Sequence, residues 1–255
     1  MTAERGYDIF PRTWKARLLL AVAFVGGLCI IAGYVAYYVF TLSACYGWFG
    51  SPPCSGSDLE GCLPAQSELA PAAEASCEGV GLRICFVPLG QVDPDLVRNL
   101  ADHYRYDYGM RTGVLTPSAV PEEMVSHERH QIDGASLADY MGKLFPADFE
   151  DPNVVLIGLT PLDLYAHDRD WNFELGWADW SGPGHGVVST YRMHLGRFFL
   201  VDDERVLSRT RKMVTKYVGL MYMRFPLSDD PTSPMYGNIM SVSDLDRMKD
   251  SLFDP

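Results

Sequence analysis

The succession of apolar patterns predicts a mixed α/β domain, a twisted sheet packed with helices, preceded by a single N-terminal transmembrane helix. Three observations carry this. Leu18 to Phe40 is an unbroken run of 23 residues without a charge. From Leu82 onward, short β-branched runs alternate with longer segments of helical spacing, the pattern of a layered α/β domain. Between the two lies a stretch rich in Ser, Pro, Gly and Ala that has little periodic apolar pattern.

The apolar run is long enough to cross about 30 Å of hydrocarbon as a helix. Arg5, Arg12, Lys15 and Arg17 precede it, and the next basic residue is Arg83. The positive-inside rule therefore directs residues 1–17 to the cytoplasm and everything after about Thr41 to the other side. Residues 18–40 are the expected signal anchor, 41–80 a Cys/Pro/Ser-rich stalk, and 81–255 the folded domain. In that domain LRICFVPLG (Leu82 to Gly90) reads as a strand, followed by a helix from Asp93 to about Tyr106 with Asp93-Pro94 as cap and first turn. Val114-Leu115 falls in a second short strand, Ser136 to Leu144 in a second helix, and Val154 to Leu159 in a β-branched central strand. Gly186 to Tyr191 is a further strand. A long helix follows over Asp203 to Tyr222, then a closing one over Ser243 to Leu252 with Ser243 as N-cap. No internal repeat is present.

Charge and cysteine placement narrow the function classes. The chain carries 21 Lys plus Arg against 33 Asp plus Glu. Removing the four basic and two acidic residues of the first 40 leaves 17 against 31, a formal charge of −14. Such a domain avoids nucleic acid and anionic lipid. Cys45, Cys54, Cys62, Cys77 and Cys85 all follow the apolar run, with 8, 7, 14 and 7 intervening residues. These spacings lack the CxxC pairs of a zinc knuckle and favour disulfides in an oxidising compartment, with Cys54, Cys62, Cys77 and Cys85 as candidates. Leu42-Ser43-Ala44-Cys45 also reads like a lipobox, so the alternative is a lipoprotein lipidated at Cys45. The apolar run exceeds the roughly 7–15 residues of a signal-peptide core, which favours an uncleaved anchor.

Four ordered blocks carry a family resemblance: VVLIGLTPLDLY (Val154 to Tyr165), NFELGWAD (Asn172 to Asp179), GVVSTYRM (Gly186 to Met193), and RTRKMVTKYVGLMYMRF (Arg209 to Phe225) followed by SPMYGNIMSVSDLD (Ser233 to Asp246). In this order they resemble the archaemetzincin family of metzincin-clan zinc metallopeptidases, over about Leu82 to Asp246. The resemblance implies a metzincin-like fold, and a helix bearing HExxHxxGxxH, in which three imidazoles hold zinc and a Glu serves as general base. Alignment on Arg209, Lys212 and Gly219 puts Lys216 at the first His, Tyr217 at the Glu, Leu220 at the second His, Met223 at the Gly and Pro226 at the third His. An ammonium repels a dication, and Leu and Pro have no side-chain lone pair. No shift of register repairs the motif, because no His follows His194. The family's second, cysteine-rich zinc site needs Cys beyond the third His, and the last Cys is Cys85. The chain is thus expected to be a degenerate member without metal or other cofactor and without metallopeptidase chemistry.

The expected function is a membrane-anchored, extracytoplasmic pseudopeptidase that binds a peptide or protein, or assembles a complex, along the cleft and edge strand such folds retain. Lys216, Tyr217, Leu220 and Met235, the last at the Met-turn position, are the residues of the degenerate site. Lys216 either offers its ammonium to a peptide carboxylate or to Glu174 or Asp163, or is a solvent-facing Lys on a helix whose inner face is Val214, Val218 and Met221. Two other classes stay open. A hydrolase with relocated catalytic groups would draw on His185 and His194. A structural subunit of a membrane complex would use the anchor, where Gly26, Gly27 and Gly33 permit close helix approach without the GxxxG spacing. His127-Glu128-Arg129-His130 is one residue short of HExxH, and His167 and His185 fall in expected loops. Trp171, Phe173, Trp177 and Trp180 are expected to pack in the core or at its rim, the commoner use of such aromatics, with lining of a ligand cleft as the alternative.

Overall fold

The computed structural model describes residues 77, 79–181, 184–196 and 201–252. They belong to one compact unit, Pro53–Pro255. The expected anchor at 18–40, most of the 41–80 stalk, and Cys45, Cys54 and Cys62 lie outside the described residues. Among the described residues no helix is long and apolar enough to cross a membrane.

The main sheet is mixed and five-stranded. It comprises β1 (Arg83–Pro88), β2 (Thr112–Val114), β5 (Val154–Thr160), β8 (His185–Ser189) and β7 (Gly176–Asp179), in the order β2-β1-β5-β8-β7. The first four are parallel, and β7 joins β8 antiparallel as the edge. A small sheet, β3-β4-β6, joins β3 (Val125–Ser126), β4 (Gln131–Asp133) and β6 (Leu164–Tyr165). Helices α1 (Pro94–Tyr106), α2 (Gly134–Leu144), α3 (Pro146–Glu150), α4 (Asp203–Met221) and α5 (Val242–Arg247) complete the domain.

Period-2 alternation in the parallel strands builds two cores. Ile84, Phe86, Val155, Ile157 and Val188 face Leu100 and Tyr104 of α1 and Val214, Tyr217 and Val218 of α4. Cys85, Val87, Val154, Leu156 and Val187 face Leu137, Ala138 and Met141 of α2. The Tyr104 hydroxyl meets Thr215 Oγ1 at 2.7 Å, tying α1 to α4 inside the first core. Cys77 and Cys85 form a disulfide that fastens the chain before β1 to that strand.

Capping explains most boundaries. Asp93 accepts from the Asp95 amide at 2.9 Å, as its place before Pro94 predicts. Asp133 accepts from the Ser136 amide and so starts α2 at Gly134, ahead of the expected Ser136. At α4, Asp202 accepts from the Arg205 amide, and the helix matches its expected span to one residue. The closing helix differs: its N-cap is Ser241, not Ser243, and it ends at Arg247 rather than Leu252. The cause is Asp244, whose carboxylate accepts from the Met240 amide and the Ser241 hydroxyl, both at 3.0 Å, setting the start two residues earlier.

Candidate functional site

Helix α4 is buried on nearly all sides from Arg209 to Met221. Residues at helical spacing on one of its faces, Met213, Lys216, Tyr217 and Leu220, form the floor of a cleft of about 430 Å³. The edge strand β7 supplies one wall through Gly176, Trp177 and Ala178, with Phe173 and Glu174 just before it. Leu227, Gly237, Ile239 and Met240 from the chain after α4 supply another. The mouth carries exposed apolar side chains, with Trp171 42% exposed, Trp180 48%, Leu227 48% and Met240 65%, beside the exposed Arg169, Asp170 and Asn172. Trp171 and Trp180 therefore stand at a rim, with the Arg169 guanidinium over the Trp171 ring, 4.5 Å from its centre.

Gly176 lets β7 come this close to the helix. A Cβ there would stand 2.6 Å from the Val187 carbonyl oxygen and 2.8 Å from the Tyr217 hydroxyl. Gly219, on the opposite side of α4, packs against Met235 Sδ and Leu252. Met235 is thus the apolar filler beneath the helix that its position predicts. After α4 the chain turns at Arg224, in the left-handed region at φ 59°, one residue later than the motif's glycine position, Met223. Arg224 donates to the Trp180 carbonyl at 3.0 Å, linking this turn to the end of β7.

Lys216 corrects both of its local expectations. It does not face solvent, being only 8% exposed. Nor does it pair with Glu174 or Asp163: among the described residues its one hydrogen bond runs to the Gly237 carbonyl at 3.5 Å, and no carboxylate lies within ion-pair reach. Burial pushes its ammonium down to about 8. Asp163 is instead held by Arg192, with Nε and Nη2 at 2.8 and 2.7 Å, and by Gln131 Nε2 at 2.8 Å. The Arg192 guanidinium also lies 3.8 Å from the centre of the Phe173 ring. Glu174 lines the cleft with Oε2 buried and unpartnered. Burial, and then the neighbouring charge of Asp133, push its carboxyl up to about 7. Tyr217 is raised by burial and by Glu174.

Zinc does not fit these residues. At the two helix positions that face the cleft stand an ammonium and an aliphatic chain, and Pro226 is exposed beyond the helix. Among the described residues no three His, Cys, Asp or Glu side chains gather where they could hold a metal ion. His127 to His130 form an exposed turn with His130 at φ 52°, so the two imidazoles do not share a helix face. His167 is engaged by Asp133 at 3.0 Å. His185 opens β8, His194 ends the 3-10 turn Tyr191–His194, and neither lines the cleft.

The sequence alone marks the four aromatics and three of the α4 positions, Lys216, Tyr217 and Leu220, but not Met213. It missed Leu227, Ile239 and Met240, which lie in irregular chain with no periodic signal. It also missed β7, whose NFELGWADW mixes aromatic, acidic and Gly residues without alternation.

A mixed sheet with an antiparallel edge strand, a long helix beneath it and a Met-bearing turn below the helix make up a fold like that of solved archaemetzincins. The domain is archaemetzincin-like, without the zinc triad on its helix. No family model matches the chain. A curated archaemetzincin of Haloarcula marismortui is 26% identical over 142 residues, 54% of this chain and 77% of its own length. The solved archaemetzincin of Methanopyrus kandleri superposes with a TM-score of 0.54 at 24% identity, covering 69% of this chain and 91% of that one. That of Archaeoglobus fulgidus, solved complexed with malonate, gives 0.53 at 24%, covering 67% and 94%. A zinc-dependent peptidase of Methanocorpusculum labreanum gives 0.53 at 20%, covering 66% and 94%. The solved structures establish the fold alone.

Proposed function

We propose that this chain is a membrane-anchored, extracytoplasmic pseudopeptidase that holds an extended peptide or protein segment without cutting it. One observation carries the reading: the cleft between edge strand β7 and helix α4 is open and exposes four large apolar side chains, yet Lys216 and Leu220 stand where ligating imidazoles would have to be. An edge strand pairs with an extended chain through main-chain hydrogen bonds, which require no metal. The charge-free run Leu18 to Phe40 and its basic N-terminal flank support the anchor. The Cys77–Cys85 disulfide supports an oxidising compartment. The partner is a protein or peptide, either free or as part of a membrane complex.

The test uses the full chain in detergent micelles, prepared with zinc supplementation and incubated with a pool of N-acetylated random octapeptides. Mass spectrometry is expected to find peptides retained and intact, and zinc far below one equivalent. New peptide termini that depend on the protein, or a full equivalent of zinc, would overturn the reading.

A further inference from the structure

Three cations of α4 are buried on successive turns, and the fold treats them unequally. Arg209 is met by both oxygens of Asp246, at 2.8 and 2.7 Å, and by the carbonyls of Met193 and Leu195 at 2.7 Å each. Lys212 reaches the Leu245 carbonyl at 3.0 Å and Asp250 at 3.3 Å. Among the described residues Lys216 alone of the three has no carboxylate partner, and its single hydrogen bond, at 3.5 Å, exceeds the usual N–H···O range of about 2.7–3.2 Å. It is also the only one of the three that lines the cleft. A buried ammonium without a counter-ion is costly, and it strongly favours any anion that can reach it.

The geometry points to a specific occupant: an extended, apolar peptide segment whose free C-terminal carboxylate sits on Lys216. This rests on the peptide-binding reading above and deepens it. Backbone pairing to β7 accounts for the extended chain, and Trp171, Trp180, Leu227 and Met240 at the mouth account for apolar side chains. The acidic groups lining the cleft, Asp170 and Glu174, outnumber its one other cation, Arg169, and so disfavour a ligand bearing several negative charges. A terminal carboxylate brings a single charge. It also reaches a recessed ammonium without the chain continuing past it, whereas an acidic side chain within a longer segment would have to draw the backbone on both sides down to the floor.

The test presents the full chain in detergent micelles with two N-acetylated random octapeptide pools, one of free acids and one of C-terminal amides. Wild type is expected to retain the acid pool about tenfold or more over the amide pool. That preference should vanish in Lys216→Met while weak retention of both pools persists. In wild type alone it should decline as pH rises past about 8, where Lys216 loses its charge. Arg169, Asp170, Glu174 and Tyr217 are the other titratable groups lining the cleft, and Glu174, at about 7, is already ionised there. Equal retention of acids and amides by wild type would overturn the carboxylate assignment and leave the peptide-binding reading standing. Amides enriched for Asp or Glu at one position would assign Lys216 to a side chain and overturn the terminal assignment. Retention of neither pool would overturn both readings.

Discussion

Among the described residues the cleft holds two groups with little to offset their charge: Lys216 has no carboxylate partner, and Glu174 Oε2 has no hydrogen bond and is favoured only by the charge of Arg169. For Lys216 the folded value, about 8, lies below the ordinary 10.5. Between these values the unfolded chain binds more protons than the folded one, so the penalty is fully present below about pH 8 and lifts as pH rises toward 10.5. Replacement by Met removes it. Lys216→Met should stabilise the domain by about 1–3 kcal/mol at pH 7, a gain that shrinks by pH 10, as read by urea denaturation at both values. Glu174 has the opposite sign. Its folded value, about 7, exceeds the ordinary 4.5, so the folded state binds the extra proton and stability is lost as pH climbs from 4.5 through 7. Glu174→Gln should therefore add about 1–3 kcal/mol at pH 8 and almost nothing at pH 4.5. A flat difference between variant and wild type across that range would mean that Glu174 is not desolvated in solution.

At the scale of elements, the site depends on how closely β7 lies against β8 and α4. Gly176 and Gly186 are the two positions where that approach forbids a Cβ, since the one at 186 would stand 2.7 Å from the Trp177 carbonyl oxygen. At both positions an obstructing atom is backbone, which cannot swing aside. Gly176→Ala is expected to cost about 1–3 kcal/mol and to loosen the edge strand, lowering peptide retention along with the thermal midpoint. An unchanged midpoint would mean that β7 is not seated as described. Helix α4 was legible in the sequence because its cap, Asp202, and its buried face are local. Strand β7 was not, because an edge strand lined by Glu174, Trp177 and Asp179 has no alternation that separates it from a loop. Only the resemblance of NFELGWAD to a known block marked the segment as significant.

The whole domain rests on two cores, one on each face of the sheet, and the disulfide secures the N-terminal end of one of them. Cys85 lies within β1 with no solvent exposure, and Cys77 packs beside Gly113 of β2. Closing so short a loop corresponds to about 2–3 kcal/mol of chain entropy. Cys77→Ser should lower unfolding free energy by that amount, and reducing agent should have the same effect on wild type but none on the variant. Equal stability of oxidised and reduced wild type would contradict the pairing. At this scale the exposed apolar side chains at the mouth of the cleft also become visible. Trp171, Trp180, Leu227 and Met240 account for much of the large apolar side chain left exposed among the described residues, and all four line one cleft. Clustered exposure of this kind marks an interaction site more strongly than scattered exposure does.

By itself the sequence determined that the helix cannot present the zinc triad, because an imidazole ligand is a side-chain lone pair and the side chains of Leu220 and Pro226 have none in any conformation. It also determined the alternation of strands and helices, through periodicities of two and 3.6 that belong to local backbone geometry. Tertiary structure alone decided that, among the described residues, Lys216 is buried without a counter-ion while Arg209 and Lys212 on the same helix have theirs, since Asp246 and Asp250 come from a segment more than thirty residues further along. It likewise decided that Asp163 belongs to Arg192, and that Cys77 pairs with Cys85. Burial and charge pairing depend on which distant segments meet, and no local pattern of residues encodes that meeting.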